Sequence, residues 1–212
     1  MKKYELTGEC KVYFGVTLRR IKSLIDFSDV KKGELGGFIE KEENLSHGGD
    51  AWVYGNARVS GNARVYGDAW VYGNARVSGN ARVYDDARVY GNARVSGNAR
   101  VSGNARVYGD ARVSSNARVS GNARVYDDAR VSGDARVSGN ADYVLIGRIG
   151  SRFGFTTFFR NKNNEIYVSC GCFLGTLAKF RKKVKETHGT DTKYAKVYQA
   201  AADLAEMQIL NK

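Results

Sequence analysis

The chain has no proline at all, and only two histidines, two methionines, two tryptophans and three cysteines among 212 residues. Each scarcity excludes something. Without proline no residue lacks a backbone N–H, so an uninterrupted hydrogen-bonded ladder is open to the whole chain. No run of about 18 apolar residues occurs, which excludes a membrane-spanning helix. The opening Met1-Lys2-Lys3-Tyr4-Glu5-Leu6 leads into no long apolar stretch, so a secretory leader is not expected and a cytoplasmic location is. Cys10, Cys170 and Cys172 are odd in number and read as free thiols rather than a disulfide framework. Neither a G-x-x-x-x-G-K-S/T phosphate loop nor a G-x-S-x-G nucleophile turn is present.

What is plentiful is glycine (25 residues) and positive charge, 34 Lys and Arg against 22 Asp and Glu, for a net +12. The excess is uneven: residues 1–48 are near balance at +1, residues 49–142 carry +4, and residues 143–212 carry +7. In the middle segment every basic residue is arginine. Such a balance favours polyanionic partners, namely nucleic acid, nucleotides or an acidic protein face. The plain alternative is a basic surface with no anionic ligand.

From Gly49 to Val144 the sequence divides into 16 hexapeptides of the form G-(N/D)-A-x-V-(S/Y). A period of six fits neither an amphipathic helix nor a simple hairpin, and it marks a β-solenoid in which each short segment is one side of a coil. The sixth slot shows a longer period. Every third hexapeptide gives Tyr54, Tyr72, Tyr90, Tyr108 and Tyr126; the next set gives Ser60, Ser78, Ser96, Ser114 and Ser132. The structural repeat is therefore 18 residues, three sides to a coil, which predicts a triangular prism. Alternation along each side places Ala and Val inward and the residue between them outward. Gly and Asn tolerate left-handed backbone and so turn the corners. The rod should measure roughly 25 Å at ~4.8 Å per coil.

The outward slot is the functional clue. It forms three columns: Arg58, Arg76, Arg94, Arg112 and Arg130; Arg64, Arg82, Arg100, Arg118 and Arg136; and Trp52, Trp70, Arg88, Arg106 and Arg124. Arginines stacked ~4.8 Å apart repel unless something negative lies between them. One expectation is that the columns meet phosphates or carboxylates, with Trp52, Trp70, Tyr54, Tyr72 and Tyr90 as stacking platforms. The other is that arginine is a solubilising spacer, its guanidinium lying over tyrosine and paired with a corner aspartate.

A bare solenoid exposes sheet edges, so its ends must be capped. The chain divides into an N-terminal β cap (1–38), the rod (39–144) and an α+β C-terminal domain (145–212). Residues 4–24 alternate as two or three strands with a turn near Gly15, and Ile39 and Leu45, six apart, open a first imperfect coil. After the rod, 143–150, 153–160 and 165–173 read as three strands. A helix over about 175–188 carries the densest basic cluster, Lys179, Arg181, Lys182, Lys183 and Lys185, either a phosphate-contacting face or a solvated one. A second helix over about 192–210 should bury Tyr194, Val197, Ala201, Leu204 and Met207, with Asp191 or Thr192 as its cap. Cys170-Gly171-Cys172 has no second pair and reads as packing thiols, not a zinc site.

The pattern of Val59-Ser60-Gly61-Asn62-Ala63-Arg64 resembles the hexapeptide repeats of left-handed parallel β-helices, although right-handed helices of the bactofilin type also use short repeats. The resemblance implies a mainly β fold, left-handed by preference, and a homo-oligomer, dimer or trimer. Enzymes of that family are acyltransferases resembling one another in a catalytic histidine and a loop thrown out between coils, or carbonic anhydrases with three histidine ligands. Here the coils carry no histidine and no insertion, and the whole chain has only His47 and His188. The expectation is therefore a protein without catalytic residues, metal or cofactor. The entry segment Gly36-Gly37-Phe38-Ile39-Glu40, the N-A-R-V repeats and the tail Val168-Ser169-Cys170-Gly171-Cys172-Phe173 with Lys185-Glu186-Thr187-His188-Gly189 are also similar to phage and prophage "polymer-forming" repeat proteins of gut Gram-positive bacteria. That similarity implies action in the bacterial host cytosol. The expected role is to engage nucleic acid or a nucleic-acid-handling defence complex by occlusion, in the manner of an anti-CRISPR inhibitor. The alternatives are a sponge for small, cyclic nucleotide signals held between protomers, a self-assembling rod, and, behind these, a hexapeptide acyltransferase.

Overall fold

A computed structural model of the chain describes residues 1–210. It is mainly β: a β-solenoid with a strand cap at the N-terminal end and a strand-and-helix unit at the other. Strands β1 (Tyr4–Tyr13) and β2 (Val16–Ser23) form a hairpin closed at Phe14-Gly15, and β3 (Leu35–Ile39) lies antiparallel to β2. Fifteen two-residue strands follow at six-residue spacing, β4 (Trp52–Val53) through β18 (Arg136–Val137). Each pairs in parallel with the strand 18 residues away, so Arg94 stands between Arg76 and Arg112, and Val95 between Val77 and Val113. Three sheets result. One runs β1-β2-β3-β5-β8-β11-β14-β17, so the cap hairpin is hydrogen-bonded into the face that holds the Arg58 column.

The repeat slots explain the coil. Every Ala from Ala51 to Ala135 and every Val from Val53 to Val137 is at most 1% exposed, so two small side chains per face fill a dry, narrow interior. Backbone groups are satisfied coil to coil, as in Arg58 N–H to Ala75 O (2.9 Å) and Ser60 N–H to Val77 O (3.0 Å), which is why proline is unsuited to these ladder positions. The corner slot is left-handed. Where glycine is replaced, Asp85, Ser115 and Asp127 hold the same turn at φ 57, 59 and 52. Ile39 packs in register over Val59 and Leu45 over Val65, so the imperfect first coil begins at the strand that ends the cap.

Both ends are plugged. At the first, Lys3 sets its Nζ over the Phe27 ring, which meets Trp52 edge-on, and donates to Gly49 O (3.0 Å) and Ala51 O (2.8 Å). Tyr4 donates its hydroxyl to Glu42 O and Leu45 O. At the other, Asp142 is buried and accepts from Ser138 N, Ser138 Oγ and Gly139 N, while Arg160 Nε pairs with it at 3.1 Å.

The C-terminal unit is an antiparallel meander, β19 (Tyr143–Ile149), β20 (Gly154–Arg160), β21 (Ile166–Cys170) and β22 (Phe173–Thr176), packed against α1 (Leu177–His188) and α2 (Lys193–Leu210). Two expectations are corrected here. The segment 165–173 is not one strand: Gly171, at φ 58, turns the chain so that Cys170 faces Phe173 across a hairpin. Helix α2 buries Ala195, Ala201, Ala202, Ala205 and Ile209, and leaves Tyr194, Leu204 and Met207 38–57% exposed. An alanine stripe lets the helix approach the sheet closely, whereas the larger side chains expected inside would hold it off. Thr192 caps α2, its hydroxyl accepting from Ala195 N (3.2 Å).

Candidate anion-binding surface

The outward slots stand in register on all three faces, so each arginine column is a row of like charges on adjacent parallel strands. At that spacing each neighbouring pair repels by about 1 kcal/mol in water. The corner aspartates do not relieve it. Among the described residues, none of the thirteen column arginines forms an ion pair with a carboxylate. Asp68 instead accepts from Asp50 N (2.9 Å), Asp85 from Gly103 N (3.1 Å), and Asp134 pairs with Lys162 (2.9 Å). Asp68 and Asp85 are thus spent on backbone amides of an adjacent coil, and Asp134 on a lysine of the C-terminal unit.

Nor do the tyrosines lie beneath the guanidinium groups. They stack on one another: Tyr72 on Tyr90 at 4.7 Å, Tyr90 on Tyr108 at 4.9 Å, Tyr66 on Tyr84 at 5.0 Å. The expectation of arginines neutralised by tyrosine and aspartate is thus corrected by this geometry. Burial, and then the stacked neighbour, push the Tyr72 and Tyr66 hydroxyls above the ordinary range, while nearby arginines pull the other way. The exception is Arg58, whose guanidinium sits 3.7 Å over the ring of Tyr13 in the cap hairpin.

Along the second face, Arg64, Arg82 and Arg100 line a groove of about 730 Å³ with Lys41 and an amide ladder. In the ladder Asn62 donates to Asn80, Asn80 to Asn98, Asn98 to Asn116, and Asn116 to Asp134, at 3.1–3.3 Å. Lys41 and the ladder were not among the residues singled out from the sequence. The Asn slot reads there as a corner former, and only the coil register turns it into a continuous polar rail.

The other expected residues divide. Trp52 is fully buried between Tyr4, Phe27 and Tyr54, so it is no stacking platform; the N-terminal cap, whose position the repeat alone does not give, covers it. Trp70 and Tyr54 are half-buried and lie against each other at 5.3 Å. On α1 the basic cluster is largely spoken for: Arg181 bridges to Asp203 (2.7 Å) and Glu206 (2.8 Å) on α2, and Lys182 and Lys183 share Glu186. Lys179 and Lys185 remain exposed. Uncompensated charge therefore lies on the rod, as thirteen column arginines, and on this helix, as Lys179, Lys185 and the two lysines that share Glu186.

His47 stacks on Tyr4 at 4.4 Å, accepts Lys3 N–H at Nδ1 (3.2 Å) and turns Nε2 toward Glu42 (3.9 Å). His188 stacks on Tyr198. Among the described residues no cluster of His, Cys, Asp and Glu could hold a metal ion, and no helix is long and apolar enough to cross a membrane.

Comparison with known proteins speaks to the rod. Ten overlapping stretches, the first at 51–67 and the last at 129–141, match the family model described as the YdcK beta solenoid repeat. The chain is also similar to a protein of Escherichia coli (strain K12) named "Uncharacterized acetyltransferase YdcK", at 35% identity over 82 residues, 32% of this chain and 25% of the relative. The chain thus spans about a quarter of the length of the curated relative that it matches.

Proposed function

We propose that this β-solenoid is a non-catalytic binding protein whose arginine columns contact a polyanion, nucleic acid or a nucleoprotein complex, which it occludes. The observation that carries the reading is that thirteen in-register arginines have no carboxylate partner among the described residues. A self-repelling array of this kind is stabilised by whatever brings anions between its members. Its spacing of ~4.8 Å is tighter than that of phosphates along one DNA strand, so contact is by adaptable guanidinium groups and not by base reading. On the similarity to phage repeat proteins, the partner class is a host defence complex that handles nucleic acid.

The relative's name raises acyl transfer as a second reading. Two points weigh against it. The solenoid repeats that match the family model, from 51 to 141, contain no histidine in this chain. His47, whose Nδ1 lone pair is taken by the Lys3 N–H, then carries its proton on Nε2 and has no free lone pair for a base.

The test is fluorescence polarisation of labelled single- and double-stranded nucleic acid at two salt concentrations. Binding that collapses between ~50 and ~200 mM salt supports direct phosphate contact through several displaced counterions. No binding at low salt would overturn the nucleic-acid form of the proposal.

A further inference from the structure

The tip of the β1–β2 hairpin overhangs the Arg58 column and encloses a cleft of about 370 Å³. Val16, Leu18 and Val77 give it an apolar back wall, and the remaining walls are of two kinds. Tyr13 and Phe14 form an aromatic lip, and Arg58, Arg76 and Arg94 form a cationic floor edged by the serine row Ser60, Ser78 and Ser96.

Phe14 is an unusual choice at its position. It and Gly15 take φ values of 50 and 80, the pair of left-handed residues that closes a two-residue hairpin. Asn or Gly is the residue that such a turn favours, and a bulky ring there is disfavoured. The ring is also 100% exposed, so it packs on nothing in the folded chain. The fold gains nothing from it and bears both a backbone and a solvation cost. Behind it Arg58 is fixed over Tyr13, with a buried Nε–H that has no hydrogen-bond partner among the described residues. Arg76 and Arg94 continue the row without carboxylate partners among the described residues.

We infer that this cleft binds a nucleoside polyphosphate, the base lying on Phe14 and the phosphates along Arg76 and Arg94 with help from the serine hydroxyls. The charge pattern selects the class. A single carboxylate or monophosphate would leave adjacent guanidinium groups unmatched, whereas a short phosphate chain spans two rungs of the ladder. A bare polyphosphate would leave the aromatic lip unused. A duplex keeps its base faces stacked inside the helix, out of reach of an external ring. The inference rests on the polyanion reading in that it uses the same arginine column, but it adds a component that depends on one fully exposed ring, Phe14.

The experiment is calorimetric titration with ATP and, separately, with inorganic tripolyphosphate. The proteins compared are the unaltered chain, Phe14→Asn, Arg76→Glu with Arg94→Glu, and a control pair on another face, Arg100→Glu with Arg118→Glu. Asn suits the left-handed turn, so Phe14→Asn removes the ring without threatening the hairpin, and circular dichroism checks this. ATP should bind at least tenfold tighter than tripolyphosphate. Phe14→Asn should erase that preference while leaving tripolyphosphate unchanged. The Arg76/Arg94 pair should abolish both small ligands and the control pair neither. Equal affinity for ATP and tripolyphosphate, or a preference that survives Phe14→Asn, overturns the site. If neither small ligand binds, the site is likewise overturned, and nucleic-acid polarisation still decides the wider reading on its own.

Discussion

Asp142 and Arg160 pair at 3.1 Å where the solenoid stops, and Asp142 does so from the outward slot that holds Trp or Arg in the fifteen hexapeptides before it. A residue of opposite charge thus ends the column and ties the rod to the C-terminal unit, with Arg160 also donating to the Ile209 carbonyl at the end of α2. Removing one member of a buried pair leaves the other uncompensated. Asp142→Asn should cost ~3 kcal/mol in chemical denaturation, with faster amide exchange in β19 and α2 than in the coils. A cost near zero would show that the junction is held by packing alone.

The N-terminal plug makes stability depend on alkaline pH. Burial holds the Lys3 ammonium at about 8, below the ordinary 10.5. Between these values the unfolded chain keeps a proton that the folded chain has released, so stability rises with pH across that window. Burial also holds the Tyr4 and Tyr143 hydroxyls well above the ordinary 10.0, so beyond that pH the unfolded tyrosines lose protons that the folded ones retain and stability falls. Thermal melts should therefore show a maximum near pH 10. Lys3→Met should flatten the rise and keep the fall; a rise that persists in the variant assigns it to another group.

Charge reversal separates the faces. Arg94→Glu with Arg112→Glu alters one column, and Arg100→Glu with Arg118→Glu another. If a face contacts phosphate, its variant should lower the slope of log affinity against log salt by about 1.4–1.8, since each of the two lost contacts removes roughly 0.7–0.9 of a counterion. The variant of an uninvolved face should keep the slope. Unchanged slopes for every face would remove the columns from the mechanism.

Two corner glycines separate strain from contact. Gly109 and Gly133 take nearly the same φ, +67 and +65, but a Cβ on Gly109 would lie 2.8 Å from Asp127 N in the next coil, while one on Gly133 would meet nothing within 4 Å. Gly133→Ala should cost only the left-handed penalty, about 1 kcal/mol. Gly109→Ala should cost clearly more and broaden the unfolding transition. Equal losses would mean that the coils yield at the corner.

The rod was legible because its sequence states one rule many times: an alternation that packs Ala and Val inside, and a corner that must be left-handed, leave little else to decide. Ile39 and Leu45 announced the first coil by the same spacing. What the repeat does not encode is contact with the caps. Trp52 occupies the outward slot yet lies inside, because Tyr4 and Phe27 come from residues with no periodic tie to it. In α2 the sequence offers two apolar faces, and closeness to the sheet selects the alanines over Leu204 and Met207. Phe14 passed unnoticed for a related reason: an exposed ring at a turn acquires meaning only once the arginine floor beneath it is known.

Because each coil is bonded only to the coil above and the coil below, the two ends are indifferent to how many lie between them. Removing residues 85–102 would bring Ala81-Arg82-Val83-Tyr84 against Gly103-Asn104-Ala105 in the same frame, with every slot preserved. The rod would shorten by one layer, ~4.8 Å, and lose one arginine from each face. The repeat is thus a ruler: duplication or loss of 54 nucleotides of coding sequence resets the length and charge of the binding surface in whole steps, leaving both capped ends intact.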